Sequence, residues 1–390
     1  MLSFLRKYQK QLLLFICATL FVAVGESVVN TVLNNFMHET FTISSFQRTL
    51  LELPRELPGV LLVIISVVLF FLRSRRLALF ASILGSLGLL LIAFFPLNFS
   101  IFLLWIFIFS SGQHMLIPLS TSIGMELASK GRDGRRLGQM NSVRNIGIVS
   151  GGLFIFLGFK YLHLSYKASF IIAAAVYFLS AIFFYMMDPG KAHPAKLRLK
   201  LHKEYKLYYW LAILFGTRKQ IFLTFAPWVI VTIYHKSASA IAILLTVGAI
   251  AGIVFQPLLG KAIDHLGEKT ILLMEAFLLI FVCFLYGFAP NFLPTNIAYL
   301  VVAFCFITDQ LLMSVNMARA TYLKKIATHA DHITPTLTMA STIDHVFSIL
   351  VAILGGLIWM KFGYQFVFLL GSFLSIVNFV STSRIKIGKS

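Results

Sequence analysis

Twelve apolar runs, each close to the length a helix needs to cross a bilayer, dominate this 390-residue chain. Crossing ~30 Å of hydrocarbon takes roughly 20 residues in a helix. The runs fall at about 11–33, 47–72, 77–95, 99–128, 138–159, 168–187, 207–234, 238–260, 270–288, 295–320, 334–358 and 363–382. With 59% hydrophobic and 12% charged residues, the chain holds too few polar side chains to coat a soluble globule of its size. The expected fold class is an all-α membrane protein with twelve transmembrane helices.

The net charge of +19 is explained by the loops rather than by nucleic acid. Alternate connections carry Arg6, Lys7 and Lys10; Arg73, Arg75 and Arg76; Lys130, Arg132, Arg135 and Arg136; six basic residues from Lys191 to Lys206; Lys261 and Lys269; Lys324 and Lys325; and Arg384, Lys386 and Lys389. The opposite loops carry only Arg48, Lys160, Lys167, Lys236 and Lys361. The positive-inside rule then places both termini in the cytoplasm. The first run follows a basic start but continues past residue 30 without a small-residue cleavage site, so it reads as the first helix rather than a signal peptide. Cys17, Cys283 and Cys305 lie inside spans with no ligand-like spacing and read as apolar filler. No disulfide, metal site or cofactor is expected.

The longest polar interruption, from Asp188-Pro189-Gly190 to Lys206, divides the spans six and six. It gives an N-terminal bundle over 1–188, a linker over 189–206 and a C-terminal bundle over 207–390. The linker is either a solvated tether or, around Lys196–Lys206, a short basic helix on anionic headgroups. The halves repeat weakly: Phe109-Ser-Ser-Gly112-Gln113 in the fourth span matches Phe306-Ile-Thr-Asp309-Gln310 in the tenth, and Gly151-Gly152 in the fifth matches Gly355-Gly356 in the eleventh. Duplicated halves of this kind occur in transporter folds.

Between spans 8 and 9, Gly260-Lys-Ala-Ile-Asp264-His-Leu-Gly267-Glu-Lys269 resembles the cytoplasmic loop signature of the major facilitator superfamily. Gly260 and Gly267 permit the tight turn, Asp264 caps or faces the positive end of a neighbouring helix, and Lys269 sits at the headgroups. The matching loop between spans 2 and 3 keeps Arg73-Ser-Arg75-Arg76 but lacks the glycine and the aspartate. The resemblance implies two pseudo-symmetric six-helix bundles. Helices 1, 4, 7 and 10 then line a central cavity, helices 2, 5, 8 and 11 flank it, and 3, 6, 9 and 12 lie outside.

Charged side chains inside the spans follow that division. An ionisable group at a helix centre costs at least ~2.5 to 3.5 kcal/mol on insertion scales, so it is retained where it meets water, a partner or a substrate. Spans 3, 6 and 12 contain none, and span 9 has only Glu275 near its inner end, where a substitution is expected to be mild. Span 1 carries Glu26 and Asn30 one turn apart, in a segment similar to the first helices of drug and metabolite antiporters of the superfamily. Span 2 opens with Glu52, Arg55 and Glu56 on one helical face, beside Pro54 and Pro58; the set is either a self-neutralised cluster at a kink or a proton or substrate site. Span 11 carries Asp344-His345, whose adjacent side chains point to different faces.

Candidate proton-coupling residues are therefore Glu26, Glu52, Glu56, Asp309, Asp344 and His345. Candidate cavity residues are Asn30, Arg55, Gln113, His114, Arg144, Arg218 and Gln310. Arg144 and Arg218 lie deep and need either a substrate anion or these acids as partners, whereas Arg319 and Lys219 can snorkel to the interface. Gly147 and Gly151 in span 5, with Gly248 and Gly252 in span 8, are expected to form a seam where helices 5 and 8 approach closely.

These features point to a secondary active, proton-coupled transporter working by alternating access on a small polar or amphipathic organic solute. Efflux is slightly favoured, although span 5 reads Gly147-Ile-Val-Ser-Gly151-Gly152, without the proline of the family's antiporter signature. A symporter importing a small organic anion is the alternative. No Walker A, HExxH or GxSxG pattern is present, so neither direct ATP coupling nor an enzyme is expected. The expected partners are the solute, protons and lipid. The expected state is a functional monomer in a bacterial-type cytoplasmic (inner) membrane.

Overall fold

The computed structural model describes residues 2–41, 52–69, 72–190, 201–236 and 238–385. The beginning of the second expected span with Arg48, the linker from Lys191 to Lys200, and Lys386 and Lys389 lie outside the described residues, as does the side chain of Glu52.

All regular structure among the described residues is helical. The helices are α1 (Leu2–Phe41), α2 (Glu52–Val68), α3 (Ser74–Phe94), α4 (Phe99–Glu126), α5 (Asp133–Leu162), α6 (Tyr166–Met186), α7 (Lys206–Thr232), α8 (Ala238–Leu266), α9 (Glu268–Phe292), α10 (Thr295–Leu312), α11 (Asn316–Ile326), α12 (Ile333–Phe362) and α13 (Tyr364–Ser383). A 3₁₀ turn at Met313–Val315 joins α10 to α11, so the two make one run. Neither Pro nor Gly stands there, and nothing in Leu311-Leu-Met-Ser-Val315 signals the break.

Ten of these runs are long and apolar enough to cross a membrane. The two further expected spans are α2, with 17 described residues, and α7, which is helical throughout but carries Arg218-Lys219-Gln220 at its middle. Several helices outrun their apolar segments: α5 begins at Asp133, where the apolar run begins at about 138. Hydropathy marks the hydrocarbon, whereas backbone hydrogen bonding carries a helix on into the headgroup layer. Asn98 caps α4 by accepting from Ile101 N at 2.9 Å, and Ser165 caps α6 by accepting from Ala168 N at 3.2 Å. Gly267, at φ +82°, turns the chain between α8 and α9.

By internal contacts the chain forms two units. The first comprises Met1–Ser129, Met140–Leu199 and Thr334–Met339; the second comprises Lys130–Gln139, Lys200–Ile333 and Ala340–Ser390. The division falls near the expected linker, but the first turns of α5 belong to the second unit and the first turns of α12 to the first. Within the first unit α1 packs on α6, α2 on α4, and α3 on both α4 and α6. Within the second, α7 packs on α13, α8 on α10, and α9 on both α10 and α13. With α10 and α11 counted as one, these four pairings of the second unit correspond to the four of the first.

Each unit has its own apolar core. The rings of Phe41, Phe102, Tyr166 and Phe170 surround Phe36 in the first, and in the second Phe222 stands edge-on to Tyr286 and Phe368, which tilt against each other. Beside these cores, charged side chains pair between neighbouring helices within each unit.

Candidate functional site: charge pairs inside the helices

In the first unit, Glu26 of α1 is buried and receives Arg144 Nη2 of α5 at 2.8 Å. The Arg144 side chain is 49% exposed, so the base is open where the acid is closed. Backbone approach makes the pair possible. A methyl group on Gly147 would come within 2.7 Å of Ala23 Cβ, and one on Gly151 within 2.7 Å of Val24 O. Ser27 Oγ donates to Ile148 O at 2.6 Å across the same line. Gly147 and Gly151 therefore bring α5 against α1, not against α8 as expected for a helix 5 and helix 8 seam. Gly248 likewise faces Gln310 of α10, whose Cβ lies 3.5 Å from where its own Cβ would stand, and Gly252 is buried.

The close approach of α5 to α8 lies elsewhere. It is built by Gly134 and Gly138 against Gly260 and Gln256, where added methyl groups would collide with backbone carbonyls. Asp264 accepts from Gly134 N and Arg135 N, both at 2.8 Å, at the positive end of α5. Lys324 pairs with Asp133 at 2.6 Å and Lys325 with Glu268 at 2.8 Å, while Lys269 Nζ donates to Ile385 O at 3.1 Å.

Elsewhere in the first unit, His114 is buried with Nδ1 3.0 Å from Ser110 Oγ, and Ser110 Oγ donates to Arg55 O at 2.5 Å. Arg55, Glu56 and Gln113 are half-buried, and Asn30 is exposed one turn beyond Glu26. Arg75 is buried and paired with Glu126 at the end of α4, and Arg76 donates to Tyr185 O at 2.9 Å. The eroded loop between α2 and α3 thus keeps a structural use for its arginines.

The second unit concentrates more charge. Arg218 pairs with Asp309, and Lys219 Nζ lies 2.6 Å from Asp344 Oδ2. Arg319 Nη2 lies 2.6 Å from Glu275 Oε2, with side chains only 3% and 0% exposed. Arg319 and Lys219 do not snorkel, because each finds an acid on a neighbouring helix. Glu275 is not an interfacial bystander for the same reason. The Phe215 ring gathers the cations: Arg319 Cζ is 4.5 Å from its centroid, Lys219 Nζ 5.7 Å and Arg218 Cζ 5.8 Å. Gly216 admits Asp344, since a methyl there would strike its carboxylate. Ser348 Oγ donates to Asp344 Oδ1 at 3.3 Å. His345 is buried and Gln310 half-buried.

Two of these pairs join corresponding helices with opposite polarity. In the first unit the acid stands on the first helix and the base on the fifth; in the second the base stands on α7 and the acid on α12. The deep pairs are also incompletely satisfied. Among the buried atoms, Arg218 Nη2, Asp309 Oδ2, Glu275 Oε1, and Arg319 Nε and Nη1 have no hydrogen-bond partner, which leaves capacity for water, a proton or a solute group.

Of the residues singled out in the sequence, Glu26, Arg144, Arg218, Asp309 and Asp344 stand in ion pairs, whereas Glu126, Phe215, Gly216 and the pairing of Glu275 with Arg319 were not anticipated. A glycine one turn from a half-buried lysine carries no signal of its own.

Charges balanced between adjacent long apolar helices suit a polytopic carrier, and the family profile decides the class. The Major Facilitator Superfamily profile matches residues 15–332 and 208–385. The chain belongs to that superfamily. It is an integral multi-pass membrane protein and a transporter rather than an enzyme. No curated protein sequence matches it. Among solved structures it is similar to FucP, the fucose:proton symporter of E. coli, in the outward conformation, with TM-score 0.76, 16% identity, and coverage of 97% of this chain and 99% of that one. It is similar to the human organic anion transporter MFSD10 (TETRAN), with TM-score 0.75, 12% identity, and 96% and 99% coverage. A bacterial homologue of the iron transporter ferroportin, in the outward-facing state, gives TM-score 0.74, 11% identity, and 96% and 98% coverage.

Proposed function

We propose that this superfamily member is a proton-coupled secondary transporter that moves a small polar or amphipathic organic solute by alternating access. The carrying observation is the Glu26–Arg144 pair, a buried carboxylate held by one half-exposed base inside a helix pair. Protonation of Glu26 releases Arg144, and a closed pair expels the proton; that exchange is what coupling requires. Lys219–Asp344 and Arg218–Asp309 supply equivalent switches in the second unit. The corresponding pairings support two pseudo-symmetric six-helix bundles, and the basic loops support cytoplasmic termini. Asp264 on the start of α5 then acts as a latch between access states. We place the protein in a bacterial-type inner membrane as a functional monomer.

Efflux of a metabolite or drug-like solute is the first reading. Import of an organic anion by symport is the second, favoured by the exposure of Arg144, which lets an anion reach the guanidinium without uncovering Glu26. Reconstituted vesicles carrying a pH gradient test both. Glu26→Gln should abolish gradient-driven movement while leaving solute exchange partly intact, because the amide keeps the volume and cannot titrate. Undiminished proton-driven transport by this variant removes Glu26 from the coupling step.

A further inference from the structure

Outside the charge pairs, one side-chain cluster has the chemistry of a ligand site. His202, Glu204 and His332 each place one donor atom within 4.8 Å of the others. His202 and Glu204 lie just before α7, and His332 is the residue on which α12 begins. The site thus bridges the starts of two helices that Lys219 and Asp344 join deeper down.

Its hydrogen bonding leaves one imidazole nitrogen available. Tyr205, only 1% exposed, places its Oη 2.9 Å from His332 Nδ1 and 3.2 Å from Thr328 Oγ1, and accepts from Thr328 N at 3.2 Å. A phenol has one proton and two lone pairs. If Oη accepts from Thr328 N–H and from His332 Nδ1–H, its own proton goes to Thr328 Oγ1 and all four groups are satisfied. His332 Nε2 then carries a lone pair. Fixing one ring nitrogen through a buried partner so that the other can bind metal is the usual arrangement around imidazole ligands. The His202 ring stacks on His332 at 4.2 Å, and the His329 ring stands edge-on to His332 at 5.2 Å.

We propose that His202, Glu204 and His332 form a regulatory binding site for a divalent transition metal of the zinc class. Two imidazoles and one carboxylate suit zinc better than magnesium or calcium, which prefer all-oxygen shells. Metal–ligand distances of ~2.0 to 2.2 Å hold donor atoms at most about 4.4 Å apart, so a small rotation of the side chains from the present spacing closes the site. Bound metal would fix the spacing between the starts of α7 and α12. On the transport reading above, it would slow the carrier by holding that end of the second unit in one arrangement. Sequence spacing conceals the site because 128 positions separate Glu204 from His332.

The test uses full-length, tag-free protein in detergent micelles, equilibrium dialysis against ZnCl2, and the visible spectrum of the Co²⁺ form. One zinc per chain is expected, with tetrahedral cobalt bands. His332→Ala and His202→Ala should weaken binding by at least tenfold, as should Tyr205→Phe, which removes no ligand. Glu204→Gln, at an exposed position, serves if a histidine variant does not fold. Zinc uptake unchanged in the His202→Ala and Glu204→Gln variants, or absent from the native protein, overturns the site. In vesicles, zinc should slow solute movement by the native chain and not by His202→Ala. Bound zinc with unaltered transport overturns the regulatory role, whereas native protein that binds zinc but moves no solute under any gradient refutes the transport reading alone.

Discussion

Glu275→Gln is the substitution on which sequence and structure disagree most. Near the inner end of an outer span it reads as harmless, yet the carboxylate is 0% exposed and is the hydrogen-bond partner of Arg319, itself 3% exposed. Breaking a buried ion pair from one side costs ~3 to 5 kcal/mol, because a charge is left uncompensated. Arg319 has little reserve, since its Nε and Nη1 already lack acceptors. Two effects reduce the loss: the amide oxygen can still accept one N–H, and the Phe215 face lies 4.5 Å from the guanidinium carbon. A cation over a desolvated ring is worth up to about 2 kcal/mol but is present in both proteins, so the expected destabilisation stays near the lower bound, about 3 kcal/mol. Reversible unfolding in mixed micelles measures it. Replacing both partners, Glu275→Gln with Arg319→Met, should recover much of the loss and give a coupling energy of roughly 2 kcal/mol. A single variant within about 0.5 kcal/mol of the native protein, with additive effects in the double variant, would refute the buried pair.

Gly216→Ala should displace Asp344 and weaken its contact with Lys219, lowering the melting temperature and transport together; adding Asp344→Ala relieves the clash but leaves Lys219 without its acid, so the melting temperature should recover only in part and transport not at all. Gly151→Leu should reduce the yield of monodisperse protein far more than Gly248→Leu, because its side chain meets Val24 O and Ser27, whereas Gly248 faces a flexible glutamine; equal yields would contradict the α1–α5 approach. Asp264→Asn keeps one acceptor for Gly134 and Arg135 but loses the charge at the start of α5, an effect of ~0.3 to 2 kcal/mol. Cysteine accessibility on the two membrane faces should report a shifted balance of states, and native populations with weaker solute binding would show instead that Asp264 acts at the binding site.

Much of this arrangement is legible from apolar length and charge placement, because hydrocarbon penalises unsatisfied polar groups severely. That penalty reveals that Glu26, Arg144, Arg218 and Asp309 need partners. Which partner each takes depends on helix rotation and backbone spacing, which hydropathy does not encode. Gly147 and Gly151 show the difficulty: small residues at a four-residue interval announce a close approach without naming the helix that approaches. Arg319 shows another, since an arginine near a span end is free to snorkel unless an acid awaits it inside, and Glu275 stands 44 positions away. The Asp264 contact was accessible because its loop pattern and the positive end of a helix both call for the same electrostatic partner.

The reversed polarity of the two cross-helix pairs has an electrical consequence. With Glu26–Arg144 and Lys219–Asp344 both closed, these side chains contribute no net charge within the membrane, so a voltage has little purchase on their movement. Neutralising either acid leaves an uncompensated cation, and a full elementary charge crossing the field gains or loses ~2.3 kcal/mol per 100 mV. Any step that carries an opened pair across part of the field therefore senses the membrane potential in proportion to the distance moved. The same step with closed pairs is electrically silent. On the proton-coupled reading proposed above, membrane voltage would discriminate between protonated and closed forms of these pairs without a dedicated voltage-sensing helix.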